Sequence, residues 1–389
     1  MFIEGIKNKC CGCRTCVQKC SLSAIKFIID KYGFEYPVID SKFCVNCGMC
    51  ETVCPIINDA KSFNTKEGGI AFALDEQIKY NGSSGGLFGV FAETILSEGG
   101  VVFGAAFDDK LQLKTTKAEK IEELVPLYKS KYLLCDTSFS FRNIEKELKC
   151  GKKVLYCSSP CQIAALKLYL KSEYDNLVTI DFVCHGVGSQ TLFDRSIRFI
   201  EQTKKVEIKK FIYRYKKAHA SSHYYYYFYL KDNKPYEKSD LYITFPYYNA
   251  YCKQLVCRDC CYDCKFASQE RVGDITIGDF HNIEKYYSNI DRFAGVSMFL
   301  INTEKGYKLF DSIKGKVYFK QMDTETLYKN NRFSNEVSIP SAVLAFRESI
   351  ANESFEITVK RFLKPSKDLK KLIYYKAPRF VRKLIMKLR

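Results

Sequence analysis

CCGCRTCVQKC, residues 10–20, and CVNCGMCETVCP, residues 44–55, decide how this chain begins to fold. Each stretch carries Cys-x2-Cys-x2-Cys-x3-Cys: Cys10, Cys13, Cys16 and Cys20, then Cys44, Cys47, Cys50 and Cys54, the second run followed by Pro55. A [4Fe–4S] cube takes four thiolates. This spacing lets three successive cysteines wrap one cube while the fourth of each run crosses to the other. The crossing assigns Cys10, Cys13, Cys16 and Cys54 to one cube, and Cys44, Cys47, Cys50 and Cys20 to the second. It also staples together two half-motifs too short to bury a core of their own. Zinc is usually held by cysteine pairs far apart in sequence, so iron–sulfur is the expectation. Ser21 stands where proline is usual after the first run, and Cys11 exceeds the ligand count.

Between the two runs, residues 24–30 (AIKFIID) and 34–40 (FEYPVID) read as short strands around a turn at Lys31-Tyr-Gly33. Residues 1–62 therefore read as an α+β unit of the bacterial two-cluster ferredoxin type, and the polar stretch 58–68 as a linker. The remaining length suits one larger body, expected over residues 63–340, with a tail over 341–389. The chain has 389 residues, 47% hydrophobic and 27% charged, an ordinary globular composition. No basic-then-apolar leader opens it, and no apolar run approaches the roughly 20 residues of a membrane helix. Its 19 cysteines then fit reduced or metal-bound thiols in a cytoplasm better than a disulfide framework. Oxygen-labile clusters suit an anaerobic host. The net charge of +17 calls for an acidic partner or surface. Residues 364–389 hold ten Lys/Arg against one acidic residue, and the stretch from Asp368 to Arg389 reads as a basic, apolar-interleaved helix broken or kinked at Pro378. A solvated helix face is one account of it. Docking on an anionic membrane, at the inner face, or on a partner protein is the other.

The larger body opens with a strand near Ile70–Leu74, then Asn81-Gly-Ser-Ser-Gly-Gly86 and a helix over Leu87–Ser97. A Gly/Ser loop running into a helix N-terminus favours a phosphate, although Ser83 also serves as a simple cap. Gly100–Phe107 reads as a buried strand. Lys153–Cys157, Ser158-Ser-Pro-Cys-Gln162 and Ile163–Leu170 read as strand, loop and helix. Leu177–Val183, Cys184-His-Gly-Val-Gly-Ser189 and Thr191–Gln202 repeat that order. The repeat argues for an α/β unit with a parallel pair, whose ligands collect at the loops beyond the strand C-termini. Cys161 and Cys184 fall in those loops. Residues 208–248 read as an antiparallel meander. The run Tyr224-Tyr-Tyr-Tyr-Phe-Tyr229 invites base stacking, but a tyrosine-rich strand buried on one face accounts for it better, and no nucleic-acid partner is expected. Cys252, Cys257, Cys260, Cys261 and Cys264 follow, then a strand over Arg271–Asp279, a strand at Met298–Ile301 and a helix over Lys305–Ile313.

Taken together, these motifs resemble the β-subunit family of coenzyme F420-reducing hydrogenases and F420H2 dehydrogenases. The resemblance rests on the Gly85-Gly86 loop with Gly99-Gly100-Val-Val, on Ser130-Lys-Tyr132, on Ser159-Pro-Cys-Gln-Ile163 (serine for the family's threonine), and on Asp181-Phe-Val-Cys-His-Gly186, Cys261-Tyr-Asp-Cys264 and Asp274-Ile-Thr-Ile-Gly278. It runs to about residue 300. It implies a flavin-binding α/β domain of mixed sheet, usually with FAD, and a third [4Fe–4S] cluster. By residue matching the third cluster's ligands are Cys161, Cys184, Cys261 and Cys264, with Cys257 and Cys260 as rivals. The flavin's contacts fall on Ser83, Ser84, Gly85, Gly86, Lys131 and Ser159. Arg271 and Asp274 shape a substrate pocket, and His185 is a candidate proton donor. Clusters move single electrons and a flavin joins them to two-electron chemistry. The implied activity is that of an iron–sulfur flavoprotein oxidoreductase, working between a redox partner protein and a small molecule: F420 or another organic acceptor, with surface-polysaccharide metabolism as one setting. The alternatives are an electron relay without its own substrate and a module whose clusters are structural. The Cys-His-Gly loop, Ser159 and the basic tail depart from the archaeal pattern and put the deazaflavin in doubt.

Overall fold

The computed structural model describes residues 5–216, 223–291, 295–331 and 339–364, with Phe333, Ala377 and Val381 beside them. Pro378 and nearly all of the basic stretch 364–389 lie outside the described residues.

The cysteine-rich unit folds around an antiparallel hairpin, β1 (Ile25–Ile29) and β2 (Glu35–Ile39). Asp30 closes its turn by accepting from the backbone N–H groups of Tyr32 and Phe34 at 3.0 and 2.8 Å. Two short helices, Thr15–Lys19 and Met49–Thr52, carry Cys16 and Cys50.

The larger body is an α/β layer fold around one eight-stranded sheet among the described residues. Its strands are β3 (Glu67–Ala73), β4 (Val101–Phe107), β5 (Leu113–Ala118), β6 (Val154–Ser158), β7 (Leu177–Phe182), β11 (Ile275–Asp279), β12 (Ser297–Ile301) and β13 (Val317–Gln321). They lie in the order β13-β3-β12-β11-β7-β6-β4-β5. The four central strands, β4, β6, β7 and β11, pair parallel, and the outer pairs are antiparallel. The repeated strand–loop–helix pattern thus yields parallel neighbours β6 and β7, with helices α1 (Leu87–Ser97), α2 (Pro160–Leu170) and α3 (Gln190–Lys204) between strands. One sheet face packs on α1 and the helix Glu304–Ile313, through Phe91, Ile95, Phe310 and Ile313. The other packs on α2 and the helix Ser140–Lys149. That second core includes Cys11 and Cys13, so the N-terminal unit shares a core with the larger body.

Strands β8 (Glu207–Tyr215), β9 (Tyr224–Lys231) and β10 (Lys234–Leu241) form a separate three-stranded sheet. Asp232 and Asn233, both at positive φ, make the two-residue turn between β9 and β10, the geometry that suits the strand twist. Tyr225 and Tyr227 are buried in an aromatic core with Phe211, Tyr213 and Phe245. The tyrosine run therefore alternates core packing with the half-buried rings of Tyr226, Phe228 and Tyr229. The helices Ala342–Asn352 and Phe355–Phe362 join this same core through Val343, Phe346 and Ile350, so the body continues past residue 340. Among the described residues no helix is long and apolar enough to cross a membrane.

Candidate functional site

The N-terminal cysteines gather in two groups that mix the two sequence runs. Burial pushes the Cys16 thiol well above its ordinary range, and the charges of Cys13, Cys10 and Cys54 push it further. Burial raises Cys54 to about 11, with Cys13 and Cys10 adding to the effect. Burial likewise raises Cys50, and Cys20 of the first run adds to it. The fourth cysteine of each run thus stands with cysteines of the other. We call Cys10, Cys13, Cys16 and Cys54 the inner quartet, because Cys13 lies in the shared core, and Cys20, Cys44, Cys47 and Cys50 the outer quartet, in which Cys47 is exposed.

A third group forms where β6 and β7 end. Ser159 and Pro160 start α2, which sets Cys161 in its first turn. Cys184 sits in the loop after β7, Cys261 in the short helix Asp259–Tyr262, and Cys264 just beyond it. The chain between folds back because the backbone N–H of Arg258 donates to the Val187 carbonyl at 2.9 Å. A cavity of about 280 Å³ opens among Cys161, Cys184, Cys261 and Cys264, with Cys11, His185 and Arg271 on its wall. Burial pushes the Cys184 thiol well up, and Cys261, Cys161 and Cys264 push it further. Burial brings Cys264 to about 12, with Cys161 and Cys261 adding. Four thiols so placed resist ionising together without a cation among them. We call these four the sheet quartet. Of the rivals, Cys257 directs its thiol to the His185 carbonyl at 3.8 Å, and Cys260 stands beside Cys261 and Cys161. Cys11 contacts both Cys13 and Cys161, bridging the inner and sheet quartets. Among the described residues no three His, Cys, Asp or Glu side chains converge as a single ion requires. A cube does not need this, since each of its irons takes one thiolate.

A second, basic pocket of about 290 Å³ is lined by Asn81, Lys129, Ser130, Lys131, Lys209, Lys210 and Tyr213. The Gly/Ser loop is knitted to it. The Ser83 hydroxyl accepts from the Ser130 N–H at 2.9 Å, and the Ser84 carbonyl accepts from Lys216 Nζ at 2.7 Å. Burial lowers Lys131 to about 7, although its ammonium donates to the carbonyls of Pro126 and Tyr128. Burial also lowers Lys216 to about 7, with Lys129 and Arg214 pushing the same way, and lowers Lys129 to about 8. Of the carboxylates nearby, Asp279 takes Arg214 in a double contact at 2.7 and 2.8 Å and Asp108 takes Lys114 at 2.7 Å, while Asp109 also lines the pocket. This surplus of partly discharged cations is the chemistry of an anion site. A stacked pair of tyrosines joins pocket and sheet quartet. Tyr251 donates to the Gly186 carbonyl at 3.3 Å, and its ring lies 4.4 Å from that of Tyr132, the neighbour of Lys131.

Two family models match this chain. Residues 151–326 match the model that describes the C terminus of the coenzyme F420 hydrogenase/dehydrogenase beta subunit, and residues 9–57 match the 4Fe-4S dicluster domain. Residues 151–326 thus carry the C-terminal domain of the coenzyme F420 hydrogenase/dehydrogenase beta-subunit family, behind a ferredoxin-type domain at the N-terminus. No curated protein matches it in sequence. Among solved structures, a chain of the F420-reducing [NiFe] hydrogenase complex from Methanosarcina barkeri, studied with xenon, is similar at 16% identity and a TM-score of 0.44. The match covers 77% of this chain and 91% of that one.

The remaining sequence candidates fall in distinct places. His185 is exposed on the wall of the cysteine cavity. Ser159 is there too, its hydroxyl 3.3 Å from the Cys161 sulfur, so it adjoins the sheet quartet instead of the basic pocket. Arg271 pairs with buried Asp181 at 2.9 Å while lining the cavity. Asp274 accepts from Thr179 N–H and hydroxyl at 2.8 and 2.6 Å and from the Thr303 hydroxyl at 2.7 Å, fastening β11 to β7. Gly85 and Gly86 spend their N–H groups inside the fold, on the Ser297 hydroxyl and the Ser83 carbonyl at 2.9 Å each. A Cβ on Gly85 would sit 2.5 Å from the Ala71 carbonyl, so this glycine lets the loop lie on β3. Sequence reasoning missed Lys129, Lys209, Lys210, Arg214 and Lys216. The last two are brought in by a β-bulge between Ile212 and Tyr215, where Arg214 has φ +53°.

Proposed function

We propose that this protein is an iron–sulfur flavoprotein oxidoreductase, carrying electrons between a redox partner protein and an organic acceptor of low molecular weight. The observation that carries the reading is the convergence of the sheet quartet on one side of a stacked tyrosine pair and the lysine-rich pocket on the other. The inner and outer quartets would each hold a [4Fe–4S] cluster and the sheet quartet a third. The thiols fit that role because their mutual repulsion is relieved by bound iron. FAD fits the basic pocket at its phosphates, with Lys129, Lys131, Lys209 and Lys210 as the cations, and the volume is at the small end for a ligand site. When bound, the clusters supply one-electron carriers and the flavin supplies the junction to two-electron chemistry.

The chain's own residues do the rest. Tyr132 and Tyr251 exclude water between the two sites. Arg214 is held by Asp279 beside Ser84 of the Gly/Ser loop. His185, exposed on the wall of the cysteine cavity, would hold or release a proton there. Coenzyme F420 and other organic acceptors share this reading, as does a setting in surface-polysaccharide metabolism.

Protein purified without oxygen tests the proposal by its iron, sulfide and flavin content. About 12 irons per chain with one flavin is the expected result. About eight irons and no flavin would reduce the chain to a relay between partners and would remove the flavin from the basic pocket.

A further inference from the structure

Arg258 joins two of these sites through one residue. Its backbone belongs to the sheet quartet: its N–H donates to Val187, three residues after Cys184, and its carbonyl accepts from the N–H of Cys261 at 2.9 Å. Its side chain belongs to the N-terminal unit. Nε donates to the Cys10 carbonyl at 2.6 Å, and one terminal nitrogen, Nη2, donates to the Glu35 carbonyl at 2.7 Å. The guanidinium lies 4.1 Å over the ring of Tyr36. Gly12, at φ +69°, lies beside it, the guanidinium carbon standing at ordinary contact distance, 3.4 Å, from where a Cβ there would be.

Two features make this arginine unusual. It is 1% exposed, and its bonded acceptors are carbonyls, so no carboxylate neutralises it. Its other terminal nitrogen, Nη1, is buried with no hydrogen-bond partner. A buried guanidinium donor left unpaired is costly, and the groups around it that lack a counter-charge are thiols. The charge of Arg258 acts on Cys10 of the inner quartet and on Cys261 of the sheet quartet. Arg271, which lines the cysteine cavity, is already paired with Asp181.

We propose that Arg258 is a positioning residue that aims its unpaired Nη1–H and its positive charge between the inner and sheet quartets and raises the reduction potential of both their clusters. Reduction adds one electron, and so one negative charge, to a cluster. No bond or proton changes. A cation and an N–H donor in a dry site stabilise that added charge. The outer quartet, whose Cys47 reaches solvent, receives little of this. Arg258 therefore sets the two inner steps of the electron path against the outer one.

The inference rests on the three-cluster reading, and iron content keeps the two apart. The test is a redox titration of anaerobically purified protein, followed by electron paramagnetic resonance, on the wild type, R258Q and R258K. R258Q is expected to keep about 12 irons and to lower the potentials of two clusters while leaving the third unmoved. The expected size is about a tenfold fall in the reduced-to-oxidised ratio at fixed potential, which is 59 mV for one electron. R258K, which keeps the charge and loses the fork of donors, is expected to recover part of the shift. Where R258Q loses iron, R258K against wild type carries the test, with a smaller fall expected. Full iron with unmoved potentials, or an equal shift of all three clusters, overturns the proposal. So does loss of iron in both variants, which would make Arg258 a building block of the interface. About eight irons in the wild type would instead remove the sheet-quartet cluster on which the proposal stands.

Discussion

Cys184 is enclosed by three other thiols, and its nearest backbone neighbours belong to the loop beyond β7. Cys184→Ser is therefore expected to remove about four irons and leave the other eight in place, while Cys257→Ser, whose thiol meets a carbonyl, retains all of them. Iron and sulfide analysis decides it. A full complement in Cys184→Ser would transfer the ligand role to Cys260. Two buried lysines, Lys131 of the basic pocket and Lys216 bonded to the Gly/Ser loop, give a second test. Lys131 and Lys216 lie near 7 in the folded chain against about 10.4 when unfolded. Between those values the unfolded chain binds more protons, so the flavin-free protein gains stability as pH rises from about 7 toward 10. An anion reverses this by favouring the charged lysines. Flavin binding at pH 8 is expected to take up protons and to weaken as pH rises. Calorimetry in buffers of different ionisation enthalpy measures the uptake, and binding without it would place the phosphates elsewhere. At this scale the cysteines were legible because cluster ligands repeat at fixed spacing. Lys129 and Lys216 were not, because what marks them is burial, which a sequence does not display.

The elements that position both sites depend on local backbone choices. Gly85 rests against the Ala71 carbonyl of β3, where a Cβ has no space. Gly85→Ala is expected to cost about 1–3 kcal/mol through overpacking, seen as a fall in Tm. An unchanged Tm would show that the loop can lift from the strand. The bulge in β8 turns Arg214 toward Asp279. Arg214→Met leaves that half-buried carboxylate without its partner, at a cost of about 1–3 kcal/mol. It is expected to loosen flavin while iron stays complete, and loss of iron would move the role of this pair to the cysteine side. Strands β4, β6, β7 and β12 and helix α1 were readable because their apolar runs are bounded by Gly, Pro or Ser. The bulge was not, since Arg214 and Lys216 look like the exposed charges of any amphipathic strand. The phosphate role read into Gly85 and Gly86 rested on loop composition alone, whereas the fold uses both N–H groups internally.

At the scale of the whole molecule the two parts expected from sequence share a core. Cys11 and Cys13 pack with Phe141, Ile144 and Ile163. Gln18 bonds Phe141 and Arg142, and Thr137 donates to the Cys13 carbonyl at 2.6 Å. No single-chain pattern announces such contacts, which join residues more than a hundred positions apart. Their consequence is an order of burial, with the outer quartet at the surface and the inner and sheet quartets behind it. Phe43, Val45 and Met49 flank the exposed edge and are themselves exposed. Electron-transfer contacts are small and weak, so an apolar rim of this kind is enough for a redox partner to rest on. Electrons from a protein donor should then enter through the outer quartet. Cys47→Ser is expected to abolish reduction by a reduced ferredoxin while dithionite, small enough to reach the cysteine cavity, still reduces the remaining clusters. Stopped-flow absorbance under anaerobic conditions follows both. If the variant takes electrons from ferredoxin as fast as the wild type, the entry point lies elsewhere. The exposed mouth of the sheet-quartet cavity beside His185 would then be the next surface to test by substitution.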